Sequence, residues 1–237
     1  MSQHTLFSEI LKEIEGITVA RRYRAETKLF AQGEAAQNVY VIENGLVKLT
    51  HLDGVGRQRI IALRFPGWIV GAALAIANRS SPVTAITLTE CLLRPISVDL
   101  FRDALAKRTS LSTYLHQIHS LEVLDQLSRT IEVMALPARL RLRRWLWIFA
   151  QTLEPARTGS ETRIKLPLKQ YELAELIGVT PEHLSRLWKE LYEEGLLSRR
   201  KEWLFIHNVR RLYIPNQPNR DWKGFDSDSI LPSLDLD

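Results

Sequence analysis

LKQYELAELIGVTPEHLSRLWKELYEEGLL, residues 168–197, reads as two short helices packed across a turn. Leu173, Ala174, Leu176 and Ile177 form one apolar face, and Leu184, Leu187, Trp188 and Leu191 form a second. Gly178 between them supplies a tight turn. Thr180-Pro181-Glu182 is a helix start, with a hydroxyl at the cap, proline at the first helical position and a carboxylate in the first turn. In helix-turn-helix units the first residues of the second helix meet base edges in the major groove. Here Glu182, Ser185, Arg186 and Lys189 share the face opposite Leu184, Leu187 and Leu191. Arg186 can donate two hydrogen bonds to guanine, Glu182 can accept from the cytosine amino group, and Ser185 can do either. Glu182, Ser185 and Arg186 are therefore the candidate base readers.

Immediately downstream, Gly195-Leu196-Leu197-Ser198 leads into Arg199-Arg200-Lys201 and then Trp203-Leu204-Phe205-Ile206, a strand, basic turn and strand that form a wing. Candidate phosphate contacts are Lys169, Gln170, Thr180, His183, Lys189, Arg199, Arg200 and Lys201. The charge distribution agrees. Residues 137–211 hold 15 Lys/Arg against 9 Asp/Glu, whereas the segment from Asn216 onward is acidic, so the basic excess of a chain with net charge +5 sits in one block.

Upstream, residues 138–153 are helical in spacing, and Pro137 marks the expected domain boundary because the residue before proline is biased away from the α region. Before it, Leu111, Tyr114, Leu115, Ile118, Leu121, Leu124, Leu127, Ile131 and Met134 recur every three or four positions. This persistence predicts one long helix paired with its copy in a second subunit. The expected dimer interface is Leu111, Tyr114, Leu115, Ile118, Leu121, Leu124, Leu127 and Ile131. From Ala20 to about Asp99 short Val/Ile/Leu/Tyr/Thr runs predict strands at 28–30, 38–43, 45–51, 57–65, 83–89 and 91–97. Asn44-Gly45 and Asp53-Gly54 are turn dipeptides among them, and an antiparallel barrel or jelly roll of about eight strands is the expected closure. A short leading helix is expected over Leu6–Ile17.

The fold class is thus α+β: residues 1–108 a β-roll with flanking helices, 109–136 a dimerisation helix, 137–215 a winged helix-turn-helix, and 216–237 a weakly ordered acidic tail. No apolar run approaches the roughly 18 residues of a membrane span, and the N-terminus lacks a secretory signal, so a cytoplasmic protein with no membrane partner is expected. The single Cys91 excludes an iron–sulfur cluster and a cysteine zinc site. No metal site is expected; His116 and His119 read as helix-surface histidines. Nor does the chain contain a nucleophile–base pair or phosphate loop that would indicate an enzyme.

Phe30-Ala31-Gln32-Gly33-Glu34, Val39–Leu49, and Glu172-Leu173-Ala174 through Arg186 resemble the Crp/Fnr family of bacterial transcription regulators, over nearly everything from Leu6 to about Tyr213. The resemblance implies a cyclic-nucleotide-binding-type β-roll, a dimerisation helix and a winged helix-turn-helix whose DNA-reading helices are repositioned by an effector. Partners implied are double-stranded DNA, a second copy of the chain and RNA polymerase. Glu182, Ser185 and Arg186 look like the Glu-x-x-Ser-Arg pattern of the Fnr branch, which implies a palindrome with TTGA-like half-sites. Pro181 stands where family members often carry a residue able to contact DNA, so readout of one outer base is not carried over.

The input side departs from the family. Cyclic-AMP-binding relatives carry Gly-Glu-Leu for the ribose and Arg-Ser facing the phosphate. Here Gly71-Ala72-Ala73-Leu74 replaces the first, and Ser81-Pro82 or Arg79-Ser80 stands at the second. Cyclic AMP is therefore not expected, and no cofactor is identified. The pocket around Gly71, Ala72, Ala73, Leu74, Ser81, Pro82, Val83 and Leu121 either takes another small molecule or is filled by side chains. In the second case the regulator is constitutive and its abundance sets its output.

Overall fold

The computed structural model describes residues 7, 10–12, 14–153 and 161–212. The acidic tail, Leu6 and residues 155–160 of the expected loop lie outside the described residues. Contacts divide the chain into two compact units that meet in sequence at Val123/Leu124.

The first unit contains β1 (Arg21–Tyr23), β2 (Lys28–Phe30), β3 (Asn38–Asn44), β4 (Val47–Leu52), β5 (Gln58–Arg64), β6 (Ile69–Val70), β7 (Thr84–Thr87) and β8 (Cys91–Ser97). These strands form two four-stranded antiparallel sheets, ordered β1-β8-β3-β6 and β2-β7-β4-β5. Eight strands and the expected hairpins are present; β1 and β6 were not anticipated. Gly45 turns at φ 88°, and any Cβ there would lie 2.5 Å from the Glu90 carbonyl oxygen, so the hairpin requires glycine. At the next hairpin Asp53 accepts from the Val55 and Arg57 amides at 3.1 and 2.8 Å. Those amides, Arg57 foremost, hold its carboxyl below the usual range. The left-handed residue of that loop is Gly56 rather than Gly54.

The unit also contains α1 (Ala72–Ala77), α2 (Val98–Lys107) and the start of α3 (Thr109–Ala135). Residues 7, 10–12, 14 and 15 are also helical, with Ile10 and Ile14 fully buried. The first turns of α3 close the core of this unit. Leu111, Tyr114, Leu115 and Ile118 are buried, Tyr114 Oη donates to the Gly67 carbonyl at 2.5 Å, and its ring stacks with Phe7. Burial pushes the Tyr114 hydroxyl pKa up. Four residues of the expected dimer interface are thus packed within their own unit. Those four side chains belong to the core of their own unit and leave no surface for a partner.

The second unit contains the distal turns of α3, α4 (Ala138–Leu153), β9 (Thr162–Lys165), α5 (Gln170–Ile177), α6 (Pro181–Glu193), β10 (Leu197–Arg200), β11 (Trp203–Ile206) and a 3-10 turn (Val209–Leu212). Its sheet is ordered β10-β11-β9 and is antiparallel throughout. Leu142, Leu146, Phe149, Ile164, Leu173, Ile177, Leu184, Leu191 and Leu204 form its core. Pro137 does break the helix, and its carbonyl starts α4 by accepting from Leu140 and Arg141. The units nevertheless divide earlier than Pro137. Arg129 pairs with Asp125 at 3.1 Å and lies 4.9 Å over the Trp145 ring, and Arg144 pairs with the buried Glu132. The Arg129–Trp145 and Arg144–Glu132 contacts join the last turns of α3 to α4.

Candidate nucleic-acid interface

Helix α5 begins where Glu172 reaches back to accept from the Lys169 amide at 2.8 Å, and it ends on Gly178 at φ 68°, whose conformation favours glycine. The Val179 amide returns to the Ala174 carbonyl, closing the turn. Thr180 then caps α6 by accepting from the His183 amide at 3.2 Å, with Pro181 at the first helical position. Leu184, Leu187, Trp188 and Leu191 bury one face of α6. Glu182, Ser185, Arg186 and Lys189 are exposed on the other. The fold thus brings the three candidate base readers together on an open surface at the start of one helix.

Their environments differ. The Glu182 carboxyl is held below its ordinary pKa by its own backbone amide, then by the Thr180 hydroxyl and by the charge of Arg186, so it stands ready as an acceptor at neutral pH. Ser185 Oγ lies 3.0 Å from the Pro181 carbonyl and 2.8 Å from Gln170 Nε2 on α5. Lys189 pairs with Glu193 at 3.7 Å, one turn on. Thr180, expected to contact phosphate, is occupied within the cap, between the His183 amide and Glu182.

The wing is built on β10 and β11, with Lys201 at φ 55° in the turn between them. Arg199, Arg200 and Lys201 are exposed. Arg199 Nε donates to the Lys201 carbonyl at 3.3 Å, and Arg200 lies 5.3 Å over the Phe205 ring. Two cations escaped the sequence reading. Arg163 on β9 packs 5.0 Å over Trp203, and Lys165 joins Lys169 and Arg199 around a cleft of about 210 Å³ walled by Trp188 and Tyr192. Their exposed-buried alternation in Thr162–Lys165 was the available signal. The surface of this unit therefore combines an acceptor and a donor on the helix with a ring of cations flanking it, the composition that suits base edges between phosphates.

Two family models match the chain in the order in which the units occur: the cyclic nucleotide-binding domain over residues 20–108 and the Crp-like helix-turn-helix domain over residues 140–213. The chain belongs to the Crp/Fnr family. Its C-terminal unit is accordingly a DNA-binding helix-turn-helix, and its relatives in the family are transcription regulators. The CRP-like protein Clp of Xanthomonas euvesicatoria pv. vesicatoria is 26% identical over 196 residues, 80% of this chain and 84% of that protein. The anaerobic regulatory protein of Aggregatibacter actinomycetemcomitans is 25% identical over 184 residues, 78% of this chain and 71% of that protein. Among solved structures, FixK2 from Bradyrhizobium japonicum shares the fold with a TM-score of 0.69 at 20% identity, covering 83% of this chain and 96% of FixK2. The c-di-GMP-responsive regulator CLP of Xanthomonas campestris shares it with a TM-score of 0.67 at 23% identity, covering 85% and 99%.

The residues of the expected pocket lie in the first unit. Gly71 caps α1 at φ 90°, Ala72 is buried behind it, and Ala73 is exposed. Leu74, Val83 and Leu121 are half-buried, and Pro82 is exposed. Ser81 is buried, and its hydroxyl donates to the Val83 carbonyl at 2.6 Å while accepting from the Val83 amide at 3.2 Å. Arg79 is exposed. Among the described residues no group of His, Cys, Asp and Glu could hold a metal ion, and no helix is long and apolar enough to cross a membrane.

Proposed function

We propose that this Crp/Fnr protein acts as a homodimer on a palindrome of TTGA-like half-sites centred about one helical turn apart, with one α6 in the major groove of each half-site. The observation that carries this reading is the exposed Glu182-Ser185-Arg186 face at the capped start of α6, with Glu182 ionised beside Arg186. Arg186 reads guanine, Glu182 reads cytosine, and Lys169, His183, Lys189, Arg199, Arg200 and Lys201 supply phosphate contacts. Support for the dimer comes from α3, where Leu124, Leu127, Ile131 and Met134 are exposed at coiled-coil spacing. RNA polymerase is the expected protein partner on DNA, and the cytoplasm the expected compartment.

The input is an effector other than cyclic AMP. Ala72 supplies no carboxylate for a ribose, and Arg79, two residues before Ser81, is exposed. A second reading, control by abundance alone, is favoured by one observation: the Ser81 hydroxyl directs its single hydrogen to the Val83 carbonyl in its own turn and so has none to donate to an anionic ligand. Titration calorimetry with candidate metabolites separates the two, since any ligand that changes operator affinity rejects the constitutive reading.

Base reading has its own test. Arg186→Ala is expected to weaken binding to the preferred duplex by about 1–3 kcal/mol and to relax discrimination at one base pair per half-site. Lys201→Ala is expected instead to weaken all duplexes alike and to reduce the salt dependence of binding. Fluorescence anisotropy on specific and random duplexes checks both. Equal loss on the two duplexes for Arg186→Ala would reject base reading by that residue.

A further inference from the structure

We infer that Gln170 is a specificity-positioning residue, which holds the Ser185 hydroxyl as an acceptor-only reader so that Ser185 selects an exocyclic amino group of adenine or cytosine. The inference rests on the reading that α6 contacts bases, and it changes what two residues do within that reading. Gln170 was expected only as a phosphate contact, and Ser185 as a reader of either polarity.

The geometry restricts the hydrogen positions. Ser185 Oγ stands 3.0 Å from the carbonyl oxygen of Pro181, one turn back on α6. A carbonyl oxygen can only accept, so the single hydroxyl hydrogen of Ser185 is directed there. The hydroxyl is then unable to donate to Gln170, 2.8 Å away across the motif, so the amide of Gln170 must present its N–H. This fixes the amide orientation from the chemistry of the partners. A serine oxygen has one hydrogen and two lone pairs, and here the hydrogen and one lone pair are engaged. What remains toward the groove is one lone pair.

An isolated serine hydroxyl rotates to suit either a donor or an acceptor and so discriminates poorly. Locked this way it accepts from adenine N6 or cytosine N4, and it opposes guanine O6 and N7 or thymine O4 lone pair to lone pair. Gln170 is exposed and has a second amide hydrogen on the same nitrogen, so the same side chain can still donate to a phosphate. It would then connect backbone register to base polarity across the two helices. Neither residue is buried, and the packed faces of α5 and α6 do not depend on them, so both can be exchanged without loss of the fold.

The test uses the full-length chain and a panel of duplexes in which each base pair of the preferred half-site is replaced, symmetrically in both halves, by the other three. Gln170→Ala is expected to reduce discrimination about fivefold at one position, the position that Ser185→Ala also affects. The double variant is expected to lose no more at that position than either single one, because the two residues act as one unit. Gln170→Lys still offers N–H donors to the hydroxyl and is expected to restore discrimination. A uniform loss of affinity in Gln170→Ala, with every base preference intact, would overturn the proposal and return Gln170 to a phosphate contact. So would a Ser185→Ala protein that keeps all wild-type preferences. If the wild-type chain itself prefers no duplex of the panel, base reading by α6 fails, and this inference falls with it.

Discussion

Exchanging Leu127 and Ile131 together for glutamate is expected to convert the protein to a monomer and to lower its affinity for a two-half-site duplex by about 10²–10⁴-fold. That range is the advantage gained when a second binding event becomes intramolecular. Leu127 is 56% exposed and Met134 82% exposed, with Leu124 and Ile131 on the same side at intervals of three, four and three. A stripe of this length is worth about 1.5–3 kcal/mol for each large side chain fully removed from water, so a second α3 against it gains stability that solvent cannot provide. Two carboxylates in the seam remove that gain and repel their copies. Sedimentation velocity reads the mass and anisotropy the affinity. A dimer that survives both substitutions would move the interface elsewhere. The equivalent change at Leu115 is expected to unfold the first unit instead, since Leu115 is core.

A comparably large effect, on stability, is expected at Arg141. Its buried guanidinium donates to the Ile177 carbonyl at 2.7 Å and to the Leu136 carbonyl, with longer approaches to Val133 at 3.5 Å and Gly178 at 3.4 Å. One side chain thereby satisfies the C-terminal carbonyls of α3 and α5, where a cation also meets the negative end of each helix dipole. Burial pulls its pKa down, yet no carboxylate is among these partners; the charge is held by backbone alone. Arg141→Met preserves length and removes every donor, leaving the carbonyls of the buried Ile177 and the half-buried Leu136 without this partner. A loss of about 3 kcal/mol in the C-terminal unit follows. Urea unfolding followed by tryptophan fluorescence checks it, Trp145 and Trp188 both lying in that unit. Because Ile177 and Gly178 form the turn before α6, specific DNA binding is expected to fall with stability. An unchanged midpoint and slope would mean that water replaces the guanidinium.

What could be read from the residues depended on how local the cause was. The cap Thr180-Pro181, the turn glycine Gly178 and the continuous apolar runs of strands β3 and β5 are specified by neighbours in sequence, and all were legible. β1 (Arg-Arg-Tyr) and β6 (Ile-Val) are too short to show a period, and α1 is six residues capped by a glycine without a side-chain cap. The long helix shows a different limit. Its apolar spacing is continuous from Leu111 to Met134, but the first half is buried by the β-roll unit and the second is exposed, and periodicity alone does not say what covers a stripe. The Gln170–Ser185 bond and the approach of Arg141 to the Ile177 and Gly178 carbonyls join residues well separated in sequence, so no pattern announced them.

Two-fold sequence-specific recognition by α6 is tested by selecting bound duplexes from a random pool with the full-length chain and sequencing them. An enriched inverted repeat, TTGA facing TCAA, is expected, with half-site centres about 10 base pairs apart. An enriched site without the inverted repeat, or no enrichment over the starting pool, would contradict it.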